Sequence, residues 1–185
     1  TLWHTLSLHD ALPISQNPFT LYRRIKKDNY SLKHNSVRDL FIDDYDQLWV
    51  ASYGGLSVFQ TDSDSAYHFP ENDEDPVNSL VNVAGYSLMQ DNDDNVWIGY
   101  EGMGVQVYST KEKRFIHWFS GDETGPYALN GESVIVIFQD SHGNIWLGTD
   151  EGLELYLPDK QGFEHFLRYG RGTAGRLVID IEEDK

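Results

Sequence analysis

The chain has 185 residues, no cysteine, and 30 acidic against 14 basic residues for a formal charge of -16. That field repels nucleic-acid phosphates and anionic lipid headgroups, and the lack of thiols excludes disulfides and thiolate-held metals. With 39% apolar and 14% aromatic residues the chain can bury a core, and no run approaches the ~18 apolar residues of a membrane-spanning helix.

The first fifteen residues hold an apolar stretch without a basic leader, interrupted by His9, Asp10 and Pro13, so it does not read as a secretory signal. Thr5–Ile14, TLSLHDALPI, is similar to the translation of a common sequencing adapter, and residues 1–15 are read as non-native read-through. From there on the chain repeats itself. Trp49, Trp97 and Trp146 lie 48 and 49 residues apart. Leu32, Leu80, Leu129 and Leu177 keep the same step, as do Tyr67, Phe115 and Phe163.

Each period divides into four short strand-like runs separated by Gly, Asn and Asp clusters that read as turns. The first is Val37–Ile42, with counterparts Val83–Met89 and Val134–Phe138; the wholly apolar VIVIF of the third copy suits a strand covered on both faces. The second run carries the tryptophan. The third alternates apolar and polar residues, as in Leu56-Ser57-Val58-Phe59, Val105-Gln106-Val107-Tyr108 and Leu153-Glu154-Leu155-Tyr156. The fourth mixes aromatic and polar residues around Tyr67–Phe69, Phe115–Phe119 and Phe163–Phe166. Helical repeats are excluded, because no segment holds a 3.6-residue period.

Four antiparallel strands recurring at this interval predict an all-β chain that is a partial β-propeller of about three and a half blades, its ring incomplete. The divisions are the end of a preceding blade at 16–35, whole blades at 36–80, 81–130 and 131–176, and the innermost strand of another at 177–185. Phe19 and Tyr22 fill aromatic positions of the first of these. Two unclosed flanks predict self-association. The turns after the tryptophan strands and the loops between blades should emerge on one face, where a ligand would meet the ring.

The WD repeat fits poorly, since no tryptophan precedes an aspartate and the period exceeds ~40–45 residues. Kelch fits in length, at ~50 residues, but the one Gly-Gly pair is Gly54-Gly55. The third copy reads Asp140-Ser141-His142-Gly143-Asn144-Ile145-Trp146-Leu147-Gly148-Thr149, then Glu151-Gly152-Leu153. This resembles the two-component regulator propeller repeat of the extracytoplasmic sensor portions of bacterial hybrid histidine kinases, in register over residues 16–185. The first copy departs with Asp46-Gln47 for Gly-Asn and Ala51-Ser52 for Gly-Thr; the second has Asp94 for the turn glycine and Tyr100 for the threonine. The resemblance implies a non-enzymatic, cofactor-free sensor on the outer side of an inner membrane, in the periplasm. It would bind a small polar ligand such as an oligosaccharide, pack against the remaining blades of its own chain, and dimerise in the parent receptor. A protein-interaction scaffold and a fragment of a propeller lyase stay open as alternatives.

The best ligand candidates are Tyr53, Tyr100, Glu101, Met103, Asp150 and Glu151, which follow the tryptophan strands on the expected binding face. The tryptophans read as packing between sheets. The acidic turn Asp91-Asn92-Asp93-Asp94-Asn95 reads as a hairpin turn, because its counterpart Asp140–Asn144 has too few carboxylates for a calcium loop. His68, His117 and His165 recur at 49 and 48 residues and read as rim residues of separate outer strands, too far apart for one metal.

Overall fold

The computed structural model describes residues 21–61, 65–72, 74–166 and 177–184. The read-through expected at 1–15, Phe19, residues 167–176 and Lys185 lie outside the described residues. Three four-stranded antiparallel sheets follow one another along the chain, each an up-and-down meander. The first holds β1 (Val37–Ile42), β2 (Gln47–Ser52), β3 (Gly55–Gln60) and β4 (Ala66–His68). The second holds β5 (Gly85–Gln90), β6 (Asn95–Tyr100), β7 (Val105–Ser109) and β8 (Arg114–Phe119). The third holds β9 (Val134–Gln139), β10 (Ile145–Thr149), β11 (Leu153–Leu157) and β12 (Gly162–Phe166). These are the propeller blades expected from the repeat. β5 begins at Gly85, not at Val83, because the Ala84 carbonyl is taken by the Glu101 N–H of the neighbouring turn.

One side chain builds the turn between the first two strands of every blade. In blade one, Asp43 Oδ1 accepts from the backbone N–H groups of Tyr45 and Gln47, and Oδ2 accepts from the Trp49 indole at 2.8 Å. Asp91 does the same for Asp93, Asn95 and Trp97, and Asp140 for His142, Asn144 and Trp146. The turn also needs one residue of positive φ, supplied by Asp46 at 59°, Asp94 at 66° and Gly143 at 86°. Short polar side chains tolerate that left-handed geometry, which is why the departures from glycine leave the turn unchanged.

The indoles so pinned fill the seams between blades. Trp49 packs with Leu56, Val58 and Phe69 of its own blade against Leu88, Val96, Ile98 and Phe115 of the next. Trp97 packs with Val105, Val107 and Phe119 against Val134, Ile137, Leu147 and Phe163. Both are 3% exposed. Of the other periodic markers, Leu80 and Leu129 are buried in the two seams and Leu32 against blade one, and Phe115 and Phe163 are buried, whereas Leu177 is 55% and Tyr67 56% exposed.

Backbones meet at one point of each seam. A Cβ on Gly99 would lie 2.6 Å from the Val134 carbonyl, and one on Gly148 would lie 2.7 Å from that of Val178. Blade one has Ala51 at this position, and the residue facing it is Gly85. The methyl group has moved across the seam, so the Ala-for-Gly departure is compensated. At the seam's other end a side-chain oxygen of the following blade accepts a turn N–H: Gln90 from Asp44, Gln139 from Asn92, Glu183 from Ser141. Residues 177–184 therefore lie beside blade three as β9 lies beside blade two. No strand is assigned there, since no hairpin partner for it exists among the described residues.

The alternation of the third strands has a different meaning from a dry face and a wet one. Ser57, Gln106 and Glu154 are all fully buried. Their side chains bond within the protein in three different ways. Gln106 binds the segment leading into its own blade, donating to the Pro76 and Ser79 carbonyls and accepting from the Val81 N–H and the Tyr100 hydroxyl. Ser57 works through His68, whose Nε2–H donates to the Asn29 carbonyl while Nδ1 accepts from the Ser57 hydroxyl. Glu154 pairs with His165 of the outer strand. The three periodic histidines are thus not equivalent. A register shift between β7 and β8 puts Trp118 opposite Gln106 and turns His117 onto the Phe119 ring at 5.5 Å.

Gly99→Ala should push β6 off Val134 and lower the unfolding free energy by about 1–3 kcal/mol in a urea titration; an unchanged midpoint would contradict the seam contact. A pH series tests the turn. The Trp146 indole bond, helped by Asn144 and the His142 N–H against an opposing cost of burial, holds the Asp140 carboxyl at about 2 instead of 3.8. A lowered folded-state pKa means that its contribution is complete above the ordinary carboxylate value and drains away as pH falls towards about 2. Thermal melts between pH 5 and pH 2, a range of about 3 units set by that shift, should decline less steeply for Trp146→Phe than for wild type.

Candidate functional site

The turns β2–β3, β6–β7 and β10–β11 emerge at the end of the sheets opposite the aspartate turns. There they meet the segments leading into the inner strands, as expected. Tyr53 N–H donates to the Ser36 carbonyl, Glu101 N–H to that of Ala84, and Asp150 N–H to that of Ser133. On this upper face each inner strand carries a β-bulge. Val37 pairs with Ser52 and Asp39 with Ala51, leaving Arg38 as the extra residue. Tyr86 in β5 and Ile135 in β9 are the extra residues of their blades. A bulge of this kind leaves one residue out of the ladder and re-aims its side chain.

Arg38 and Tyr86 meet because of it. The Arg38 guanidinium carbon lies 4.6 Å from the ring centroids of both Tyr53 and Tyr86, and Nη2 donates to the Tyr53 hydroxyl at 2.7 Å. His34 sets its edge against Tyr53 at 6.2 Å. Burial first, then the neighbouring Glu101 carboxylate, pushes the Tyr86 phenol above its usual pKa. Glu101 is positioned by its backbone, its N–H bound to Ala84 and its carbonyl accepting from Asn82 Nδ2. Two blades thus contribute a cation, two aromatic rings and a carboxylate to one exposed patch.

Of the six candidates taken from the repeat, Tyr53 and Glu101 belong to this patch. Tyr100 does not line the face: it is 1% exposed, its ring lies in the first seam, and its hydroxyl donates to buried Gln106. Ser52 and Thr149, at the same repeat position, are small enough to fold their hydroxyls back onto the turn, bonding the carbonyls of Gly55 and Gly152. A phenol is too long for that turn and goes inward. Met103 packs its side chain against the same core, and its carbonyl accepts from the Trp118 indole. Asp150 spends Oδ1 on the Ser133 N–H. The Glu151 N–H donates to the Thr149 hydroxyl. Arg38 and Tyr86 were missed because they sit in strands; the signal available was that the second residue of the inner strand varies from Arg to Tyr to Ile between blades.

Residues 31–54 and 128–151 match the family described as two component regulator propeller. Among solved structures, the chain is similar to the extracellular domain of BT3049, described as a hybrid two component system of B. thetaiotaomicron. The TM-score is 0.68 at 19% identity, over 80% of this chain and 20% of that one. It is likewise similar to the extracellular domain of BT4673 of B. thetaiotaomicron, with TM-score 0.68 and 18% identity over 84% of this chain and 22% of that one. PorZ, a surface component of the type-IX secretion system of Porphyromonas gingivalis, gives 0.54 and 18%, over 72% and 22%. The chain spans about a fifth of the length of these solved chains. No curated protein matches it significantly. The two matched stretches hold the aspartate turns and indoles of the first and third blades, Asp43 with Trp49 and Asp140 with Trp146, and are similar to the two component regulator propeller repeat; the blades are arranged in the propeller fold of those extracellular domains.

Proposed function

We propose that this chain is part of a ligand-sensing propeller on the outer side of a bacterial membrane, feeding a two-component signalling kinase and doing no chemistry of its own. The observation that carries the reading is the patch of Arg38, Tyr53, Tyr86 and Glu101. It is assembled from two blades on the face where propeller loops gather, and it combines stacking surface with hydrogen-bonding groups, as a polar ring-shaped ligand such as an oligosaccharide requires. The other polar clusters have structural partners. Gln106, the Ser57–His68 pair and the Glu154–His165 pair occupy one repeat position, and the first two tie the incoming segment to the blade. The Glu154–His165 pair stands at the repeat position of those two ties, which supports reading it as a structural pair and not as the acid and base of a lyase.

Isothermal titration of the chain with a panel of oligosaccharides tests the reading. At least one should bind, and the Tyr53→Ala/Tyr86→Ala variant, with wild-type circular dichroism, should lose about tenfold or more in affinity, from ~1–3 kcal/mol per stacking aromatic. Equal binding by the variant would move the site elsewhere. Capture of a protein partner together with no saccharide binding would favour a scaffold.

A further inference from the structure

Arg38 stands apart in how it is held. Among the described lysines and arginines of this net -16 chain only Lys111 and Arg114 have a carboxylate within 4.0 Å, and Arg38 shares the lack of one with the rest. The acid of the patch, Glu101, has no ion pair with it. Arg38 is held instead by two ring faces and one phenol oxygen. Such stacking fixes the plane of a guanidinium and leaves its edge donors directed outwards. An arginine has five N–H donors, and the Tyr53 hydroxyl is the one described acceptor among them.

We propose that the patch recognises a carboxylate carried on a hydroxylated ring, a sugar acid, with the Arg38 edge bound to the carboxylate, Tyr53 or Tyr86 under the ring, and Glu101 accepting from a hydroxyl. The inference rests on the sensor reading above and adds the ligand's charge to it. A planar fork of donors matches a carboxylate in bidentate fashion, which a neutral hydroxyl cannot reproduce. The overall negative charge does not forbid such a ligand. At physiological ionic strength charges beyond about 8 Å are largely screened, so a small anion in contact with Arg38 responds to Arg38 and the neighbouring Glu101 and not to the net charge of the molecule. The same argument places the extended polyanions excluded by composition in a separate class, since they would span the acidic surface as well.

The test compares a short oligomer of galacturonic acid with the neutral galactose oligomer of equal length, by calorimetric titration at pH 7, a value well above the ordinary carboxylate pKa of ~4. The acidic oligomer should bind about tenfold or more tightly than the neutral one. Arg38→Gln should remove that preference while leaving the neutral affinity in place, and Arg38→Lys should restore part of it, because a point charge lacks the fork. Equal affinities in the wild type, or a preference that survives Arg38→Gln, would overturn the charge assignment and leave the sensor site standing. Failure of both oligomers to bind wild type, while another saccharide of the panel binds, would overturn the charge assignment alone; failure of the whole panel would remove the site as well. Circular dichroism of Arg38→Gln separates a lost contact from a lost fold.

Discussion

An aspartate that accepts from two turn N–H groups and one indole sets the geometry of every blade. Without that carboxylate the two strands would still pair, but nothing would hold the indole at a fixed height on the sheet. With it, Trp49 and Trp97 arrive at the same depth in successive seams, and each seam can be filled by the same neighbours. The bond is charge-assisted and shields itself between turn and ring. A single residue thereby couples local hairpin geometry to packing between sheets, and the repeat depends on it at three places.

Seams impose a second constraint, because two backbones approach to a distance that admits one methyl group. Gly99 facing Val134, Gly148 facing Val178, and Ala51 facing Gly85 are three solutions of the same problem. The close approach brings the upper ends of neighbouring inner strands together, and there the bulge at Arg38 and the bulge at Tyr86 present side chains to each other. The patch is a product of the seam, assembled across blades from residues 48 apart in the sequence.

Much of the fold was legible because periodic residues face a periodic environment. Trp49 and Trp97 were read as packing between sheets from their fixed strand position, Leu32, Leu80 and Leu129 marked the period, and the strand count and order followed. The failures share a cause. Spacing cannot see a register shift, so His117 looked equivalent to His68 and His165 until the β7–β8 ladder moved it by one residue. Nor can it see side-chain length against a turn: Tyr100 occupies the threonine position and turns inward because a phenol cannot close the loop that Thr149 closes. Of the site, Tyr53 and Glu101 could be read from their place after the tryptophan strands, whereas Arg38 and Tyr86 needed the bulges.

Chemical-shift mapping by two-dimensional NMR, during titration with an oligosaccharide that the chain binds, tests the central claim most directly. The account predicts perturbations concentrated at Arg38, Tyr53, Tyr86 and Glu101, with the aspartate turns at the opposite end unchanged. Perturbations centred on the groove lined by Asp93, His117 and Tyr156, with the upper face silent, would contradict it.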